Sequence, residues 1–297
     1  MKIVQTLWSN NKSLLKNDFG WLSPMYHLMG WTLSCLRLQE YYDDIHLYTD
    51  SRASEVLIDY LRLPYKKVHL HYDNIGDYSE KMWAVSKINT YATQEKPFIH
   101  VDGDVFIWER FSPDLENAPL IAQNLEIGTA CYKDKMDYIR TDLTYIPEFL
   151  KEEIDKDSIP SYNAGILGGS DIEFFRQYAK MAMELADNNY QGEMKHKANL
   201  DFNILFEQIL FYSLTAREGK PVTCYFKDPI VDNGYTKDFW DFSAVPYKQK
   251  YLHLLGGHKR NKEACTLMGQ LLFQHYPEYY CRINVLFQQQ KGYFAHC

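Results

Sequence analysis

Four short apolar runs punctuate the first hundred residues: Ile3–Leu7, Ile45–Thr49, Val68–Leu70 and Phe98–Val101. Each interval carries helical signals. Ser23-Pro24 offers an N-cap and a first-turn proline for a helix to about Glu40. Residues Ser54 to Leu63 read as a helix that Pro64 ends. Asp77 to Glu80 has capping-box spacing for a helix through about Thr93, with Met82, Val85, Ile88 and Ala92 near one face. Strand–helix alternation of this kind specifies an α/β fold, a mostly parallel central sheet flanked by helices on both faces. Ligands of such sheets gather beyond the carboxyl ends of the strands. Ser9, Asp50 and Asp102 each follow a strand there, so the sequence predicts that they converge on one cleft.

Further along, Leu120 to Ala122 reads as a strand, and residues 133–160 as charged loops and short helices. Asn163 to Leu167 is a short strand, which Gly168-Gly169 lets turn tightly. Ser170 and Glu173 form a capping box for a helix to about Ala186. Asn199 to Thr215 is helical, Val222 to Tyr225 and Tyr251 to Leu254 are strands, and Ala264 to His275 is a closing helix. With no repeat, low-complexity tract or linker, the pattern predicts a single domain over 1–297. Its parts are an N-terminal half (1–110), a second half (111–260) and a C-terminal helical tail (261–297). The tail aromatics Tyr276, Tyr279, Tyr280, Phe287, Tyr293 and Phe294 are expected to pack on the domain.

Composition excludes several classes. The net charge of −7, with no basic stripe, speaks against nucleic acid as a partner. Hydrophobic residues at 46% and charged residues at 24% exclude wholesale disorder. No window approaches the roughly 18 apolar residues of a transmembrane helix, and Met-Lys-Ile-Val-Gln-Thr-Leu-Trp lacks signal-peptide character. Six scattered cysteines (Cys35, Cys131, Cys224, Cys265, Cys281, Cys297), none in C-x-x-C spacing, predict reduced thiols in a cytoplasmic protein.

The chemistry concentrates at the end of the fourth run, Pro-Phe-Ile-His-Val-Asp102-Gly103-Asp104. Two acids at the tip of a buried strand, split by a glycine that lets a ligand approach the backbone, suit a divalent cation over a phosphorylated ligand. The same spacing at Asp155/Asp157 lies in a charged, irregular stretch and reads as solvated surface. A second segment, Tyr251-Leu-His253-Leu-Leu-Gly256-Gly257-His-Lys259, places a histidine before an open Gly-Gly backbone and a lysine that offers a point charge to phosphate. It reads equally as a core histidine before a turn. His69 and His71 would share one strand face, but without a third ligand nearby a half-exposed strand is favoured. Asn163, in Tyr162-Asn-Ala-Gly, faces either a polar substrate or plain strand packing. Aromatic and aliphatic neighbours suggest that the helix carrying Asp201, Glu207 and Gln208 is largely buried, which favours a Glu207 that reaches a cleft or partner. Lys87 reads as a surface lysine within possible reach of a phosphate.

Taken together, these motifs resemble GT-A-fold nucleotide-sugar glycosyltransferases of the glycogenin and bacterial lipopolysaccharide-galactosyltransferase type. That family carries a D-x-D after a hydrophobic strand, a later N-x-G strand, a D-Q helix and a terminal H-x-x-G-x-x-K-P-W. Here Asp102/Asp104, Asn163, Glu207-Gln208 and His253/Gly256/Lys259 follow in that order, with Glu for Asp in the helix and Arg260-Asn261 for Pro-Trp. The resemblance implies a hexosyltransferase acting on a nucleoside-diphosphate sugar, UDP-sugar favoured. Residues 1–110 would form the nucleotide half and 111–260 the acceptor and metal half.

It further implies Mn²⁺ or Mg²⁺ held by Asp102, Asp104 and His253, the mixed donor set favouring Mn²⁺. Thr6, Ser9 and Asp50 would contact the base or ribose. Lys87, Gly103, Gln208, Gly256 and Lys259 would line the sugar nucleotide, and Asn163 and Glu207 would carry the catalytic roles. The acceptor, not specified by the sequence, would be a glycan, lipid or small molecule, with retention implied if His253 is a true ligand. Two other readings stand beside this one: a sugar-nucleotide binder without activity, and a nucleotidyltransferase. The loop Trp-Ser-Asn-Asn-Lys-Ser after the first strand, which lacks glycine, argues against the latter.

Overall fold

The computed structural model describes residues 1–190, 200–231 and 234–290. Asn199, Tyr293, Phe294 and Cys297 lie outside the described residues, as do the side chains of Cys131 and Asp201. The chain is an α/β fold. A mixed, mostly parallel seven-stranded sheet runs in the order β3-β2-β1-β4-β7-β6-β8, and β5 and β9 form a small second sheet. The strands are β1 (Lys2–Leu7), β2 (Ile45–Thr49), β3 (Lys67–Leu70), β4 (Phe98–Val101), β5 (Val105–Ile107), β6 (Ile121–Glu126), β7 (Ser161–Gly169), β8 (Thr223–Cys224) and β9 (Tyr251–His253). The described residues divide into two compact units, each discontinuous in sequence.

The first unit comprises Met1–Thr6, Asn74–Val101 and Phe111–Tyr235. In it β1 pairs in parallel with β4, and β7 runs antiparallel to both β4 and β6. Helices α3 (Ala84–Ala92) and α7 (Ile172–Asn189) pack on each other. Their core is aromatic: Phe98 meets Phe175 at 5.0 Å and Tyr178 meets Phe211 at 5.3 Å between ring centroids. Gly168 and Gly169 lie within β7 and do not turn the chain. A Cβ on Gly168 would fall 2.2 Å from the Phe98 carbonyl oxygen, so glycine lets two backbones close up.

A continuous helical run forms α8 (Leu200–Ile204), a π-helical turn (Leu205–Ile209) and α9 (Leu210–Glu218). Gly219, at φ 63°, caps it. Short helices α4 (Pro113–Glu116), α5 (Ala130–Ile139) and α6 (Glu148–Ile154) complete the unit; α6 and most of α5 lie in the stretch 133–160 that the sequence reads as loops and short helices. Asp155 ends α6 and pairs at the surface with Arg140, while Asp157 is exposed.

The second unit comprises Leu7–Asp73, Asp102–Arg110 and Thr236–Cys297. Its centre is α1 (Pro24–Gln39), capped by Ser23 and buried from His27 to Leu38. A helix apolar on nearly every face must be covered all round. Helices α10 (Lys262–His275) and α11 (Pro277–Gln290) pack against it, and β2 pairs in parallel with β3. Helix α2 (Ser51–Ser54) runs on into a π-helical turn, Glu55–Tyr60. It begins earlier than the sequence suggests, because the Asp50 side chain accepts from Ala53 N and caps it.

Candidate metal centre

In the second unit, the residues after Val101 turn at once. Val105 N–H donates to the Asp102 carbonyl at 3.1 Å, closing Asp102-Gly103-Asp104 into a tight turn that leads into β5. Strand β5 then pairs antiparallel with β9, placing His253 opposite Val105, and Leu254 N–H donates to the Asp104 carbonyl at 3.0 Å. Backbone pairing thus brings residues about 150 positions apart in sequence into one group. One ligand atom from each of Asp102, Asp104 and His253 lies within 4.8 Å of the others. Among the described residues this is the one group of three or more such side chains that could hold a metal ion.

Asp104 and His253 are buried, with 8% and 5% of their surface exposed, and Asp102 is half-buried. Asp104 Oδ1 lies 3.4 Å from His253 Nε2, and Asp104 Oδ2 lies 2.7 Å from Lys259 Nζ. Burial pushes the Asp104 carboxyl up, but Lys259 and His253 outweigh it and hold the group well below the usual carboxylate range. The acid is therefore ionised, as a metal ligand must be. Metal–ligand bonds of about 2.1 Å put neighbouring ligand atoms roughly 3.0–3.4 Å apart, so the Asp104–His253 spacing suits a shared cation. Two carboxylates and an imidazole fit Mn²⁺ better than Mg²⁺, which favours an all-oxygen shell.

Helix α1 supports this turn. Ser34 Oγ donates to the Val105 carbonyl at 2.7 Å, with the Asp102 carbonyl at 3.5 Å, and Arg37 Nε donates to the Ile107 carbonyl at 3.0 Å. Trp31, one turn before Ser34, explains Gly103: a Cβ there would fall 2.4 Å from the indole ring. The glycine is thus imposed by packing. Gly103→Ala should cost about 2–4 kcal/mol through overpacking and displacement of both acids. Thermal unfolding and Mn²⁺ titration of that variant check this; an unchanged Tm would refute the packing account.

The loop bearing Lys259 is a 3₁₀ turn, Gly256–Arg260, entered at Gly256 with φ 52°. The Lys259 carbonyl accepts from Leu22 N–H at 2.9 Å and from the Cys265 thiol at 3.2 Å, which anchors the loop. Nearby on α1, His27 stacks on Phe19 at 4.6 Å. Burial lowers its pKa to about 3, aided by Lys259 and opposed by Asp104. Helix α1 therefore presents a neutral imidazole.

Ser9 and Asp50 also meet in this unit, but on each other. Asp50 accepts from Ser9 N–H, from Ser9 Oγ–H at 2.9 Å and from Ala53 N–H at 2.9 Å. Both are buried, and Asp50 ties the loop after β1 to the start of α2. His69 of β3 stacks on Tyr48 at 4.2 Å and lies 3.1 Å from His46, while His71, just after the strand, meets the edge of Tyr48.

The remaining sequence candidates belong to the first unit. Thr6 Oγ1 bonds Thr90 at 2.7 Å and His100 at 3.0 Å. Lys87 is buried, not a surface lysine. Its Nζ lies 2.5 Å from Glu207 Oε1 and 5.4 Å from the centroid of Trp83, and donates to the Ala164 carbonyl at 3.4 Å. Glu207 is fully buried on the π-helical turn. Its neighbour Gln208 meets Tyr132 at 2.9 Å, and Asn163 bonds Glu126 and Tyr235.

Sequence reasoning missed Trp31, Ser34, Glu126, Tyr132 and Tyr235. Glu126 left a signal: Asn124 and Glu126 alternate at the polar end of β6, as Ser161 and Asn163 do on its neighbour. Four cysteines, Cys35, Cys224, Cys265 and Cys281, are free, with Cys35 buried and pushed up to about 12. Among the described residues no helix is long and apolar enough to cross a membrane. No curated protein matches the chain. Residues 1–286 match a family of unknown function, DUF6734, and the chain belongs to that family.

Proposed function

We propose that the protein is a divalent-cation-dependent glycosyltransferase that moves a sugar from a nucleoside-diphosphate sugar, UDP-sugar favoured, to an acceptor hydroxyl. The observation that carries this reading is the convergence of Asp102, Asp104 and His253 with Lys259 beside them. Two carboxyl side chains, an imidazole and a lysine match the needs of a diphosphate–cation pair. A cation bound there would neutralise charge building on the departing nucleoside diphosphate.

Lys259, held 2.7 Å from Asp104, supplies a further positive charge for a phosphoryl oxygen. Gly256 and Gly257 keep the adjoining backbone open, since a Cβ at either would meet nothing within 4 Å. In the transfer the bond from the anomeric carbon to phosphate oxygen breaks. A bond to the acceptor oxygen forms, and the acceptor proton leaves to a base. Glu207 is a poor candidate for that base, because it is fully buried and paired with Lys87. If His253 is a true metal ligand, the reading is retention, with the leaving phosphate taking the acceptor proton.

A panel of UDP- and GDP-sugars with Mn²⁺ tests the reading. At least one donor should be hydrolysed slowly without acceptor, and activity should vanish with EDTA and return with Mn²⁺. Failure of every sugar nucleotide to bind would sink it.

A further inference from the structure

The first unit holds a second polar group that the metal site does not use. In the β6–β7 ladder Asn124 lies opposite Asn163 and Glu126 opposite Ser161. Directly opposed residues share a sheet face, so these four side chains form one polar square with Cβ atoms about 4.5–5.5 Å apart across the strands. All four are buried: Asn124 and Ser161 at 0% exposure, Glu126 at 3% and Asn163 at 6%. A core gains nothing from such a square unless every group is bonded.

Three members are bonded in a distinctive way. The Glu126 carboxylate accepts from the hydroxyls of Tyr132 and Tyr235 and from the Asn163 amide at 3.2 Å. Tyr235 OH also meets Asn163 at 3.0 Å and Asn124 at 3.1 Å, and Tyr132 OH meets Gln208 at 2.9 Å. The fourth member is different. Ser161 Oγ is wholly buried and has no hydrogen-bond partner. An orphaned hydroxyl carries a desolvation cost that the native state ordinarily removes with a bond.

We propose that the square of Asn124, Glu126, Ser161 and Asn163 is a binding site for the hydroxyl groups of a carbohydrate. Tyr235, half-buried at its edge, is the gate whose phenol holds the ligand hydroxyl's place on Glu126. A carboxylate and two amides accept from and donate to neighbouring hydroxyls in the pattern a sugar ring presents. Ser161 supplies the further donor and acceptor that the folded chain leaves unused. A phosphate is disfavoured, because the one charge among the four is negative. Naming the hydroxyls as those of a carbohydrate rests on the transferase reading; the hydroxyl preference rests on the square alone.

Saturation-transfer NMR with free glucose, galactose, mannose, N-acetylglucosamine and lactose tests this on the full chain. Wild type should bind at least one saturably. Ser161→Ala should weaken that binding about fivefold or more while leaving Tm unchanged or higher, since the hydroxyl makes no internal bond. Glu126→Gln should weaken it more than tenfold. If Glu126→Gln does not fold, Ser161→Ala alone decides.

Equal saccharide affinity in wild type and Ser161→Ala would overturn the proposal, as would no saccharide binding. A lowered Tm for Ser161→Ala would overturn it too, by showing that the hydroxyl serves the fold. UDP with Mn²⁺ is titrated in parallel. Saccharide binding without UDP–Mn²⁺ binding contradicts the transferase reading and sustains this site; UDP–Mn²⁺ binding without saccharide does the reverse.

Discussion

Asp104→Ala is expected to weaken Mn²⁺ binding by at least a hundredfold and to lower kcat/KM on a sugar nucleotide by about a thousandfold or more. Asp104 touches both His253 and Lys259, so its loss removes one charge from the ligand set and releases the lysine that its carboxylate holds. His253→Ala should act in the same direction but less strongly, by roughly 10–100-fold in Mn²⁺ affinity, because a water can replace a neutral ligand more easily than a charged one. Asp155→Ala, at the surface decoy with identical spacing, should change neither quantity. Isothermal titration with Mn²⁺ and steady-state kinetics separate the three variants. Equal affinity in wild type and Asp104→Ala would remove the metal centre from the account.

The second large effect lies in the buried pair of the first unit. Lys87→Met removes the principal counter-charge of Glu207, whose side chain is fully buried, and Glu207→Gln does the same to Lys87. Breaking such a pair on one side costs about 3–5 kcal/mol, whereas replacing both partners by apolar residues of similar size is often near neutral. Each single variant should therefore lower Tm by on the order of 10 °C. The double variant Lys87→Met/Glu207→Leu should recover much of the loss, a coupling that a double-mutant cycle reads directly. Additive losses would mean that the two charges are stabilised independently. The same cycle bears on stereochemistry: an active double variant rules Glu207 out as the acceptor base.

Much of the fold was legible because its signals are local. Ile45–Thr49 and Phe98–Val101 are short, mostly apolar runs and form strands with those bounds. Ser23-Pro24 opens α1, where the cap and the proline are adjacent in sequence. The misplaced boundaries have tertiary causes. Asp77 to Glu80 has capping-box spacing, yet α3 starts at Ala84. There Asn203, distant in sequence, accepts from Ala84 N–H at 3.0 Å and donates to the Lys81 carbonyl at 2.6 Å, doing the work of a local cap. Ser79 N–H donates to Tyr190, which holds the preceding stretch out of the helix. At α7 the cap is Asp171, not Ser170, and Lys220 fastens its carboxylate at 2.6 Å.

The candidate site divides the same way. Asp102, Asp104 and His253 were legible because each ends or follows an apolar run, and β5–β9 pairing brings them together. Trp31 and Ser34 were not, since nothing in a uniformly buried helix marks which of its residues abuts an acidic turn. Lys87 was misjudged for a related reason: a lone lysine in sequence gives no hint of a buried carboxylate 120 residues away. The division into two units was hidden as well. The chain passes between them within strand ends and short turns, so no linker composition marks a boundary.

Asp102, Asp104 and His253 are proposed to hold one divalent cation. Crystals grown with Mn²⁺ and UDP, measured for Mn anomalous scattering, test it directly. A single strong anomalous peak about 2.1–2.2 Å from a carboxylate oxygen of each aspartate and from an imidazole nitrogen of His253, with the diphosphate against Lys259, is the predicted result. UDP bound with no anomalous peak there, and Asp104 still paired with Lys259, would contradict it.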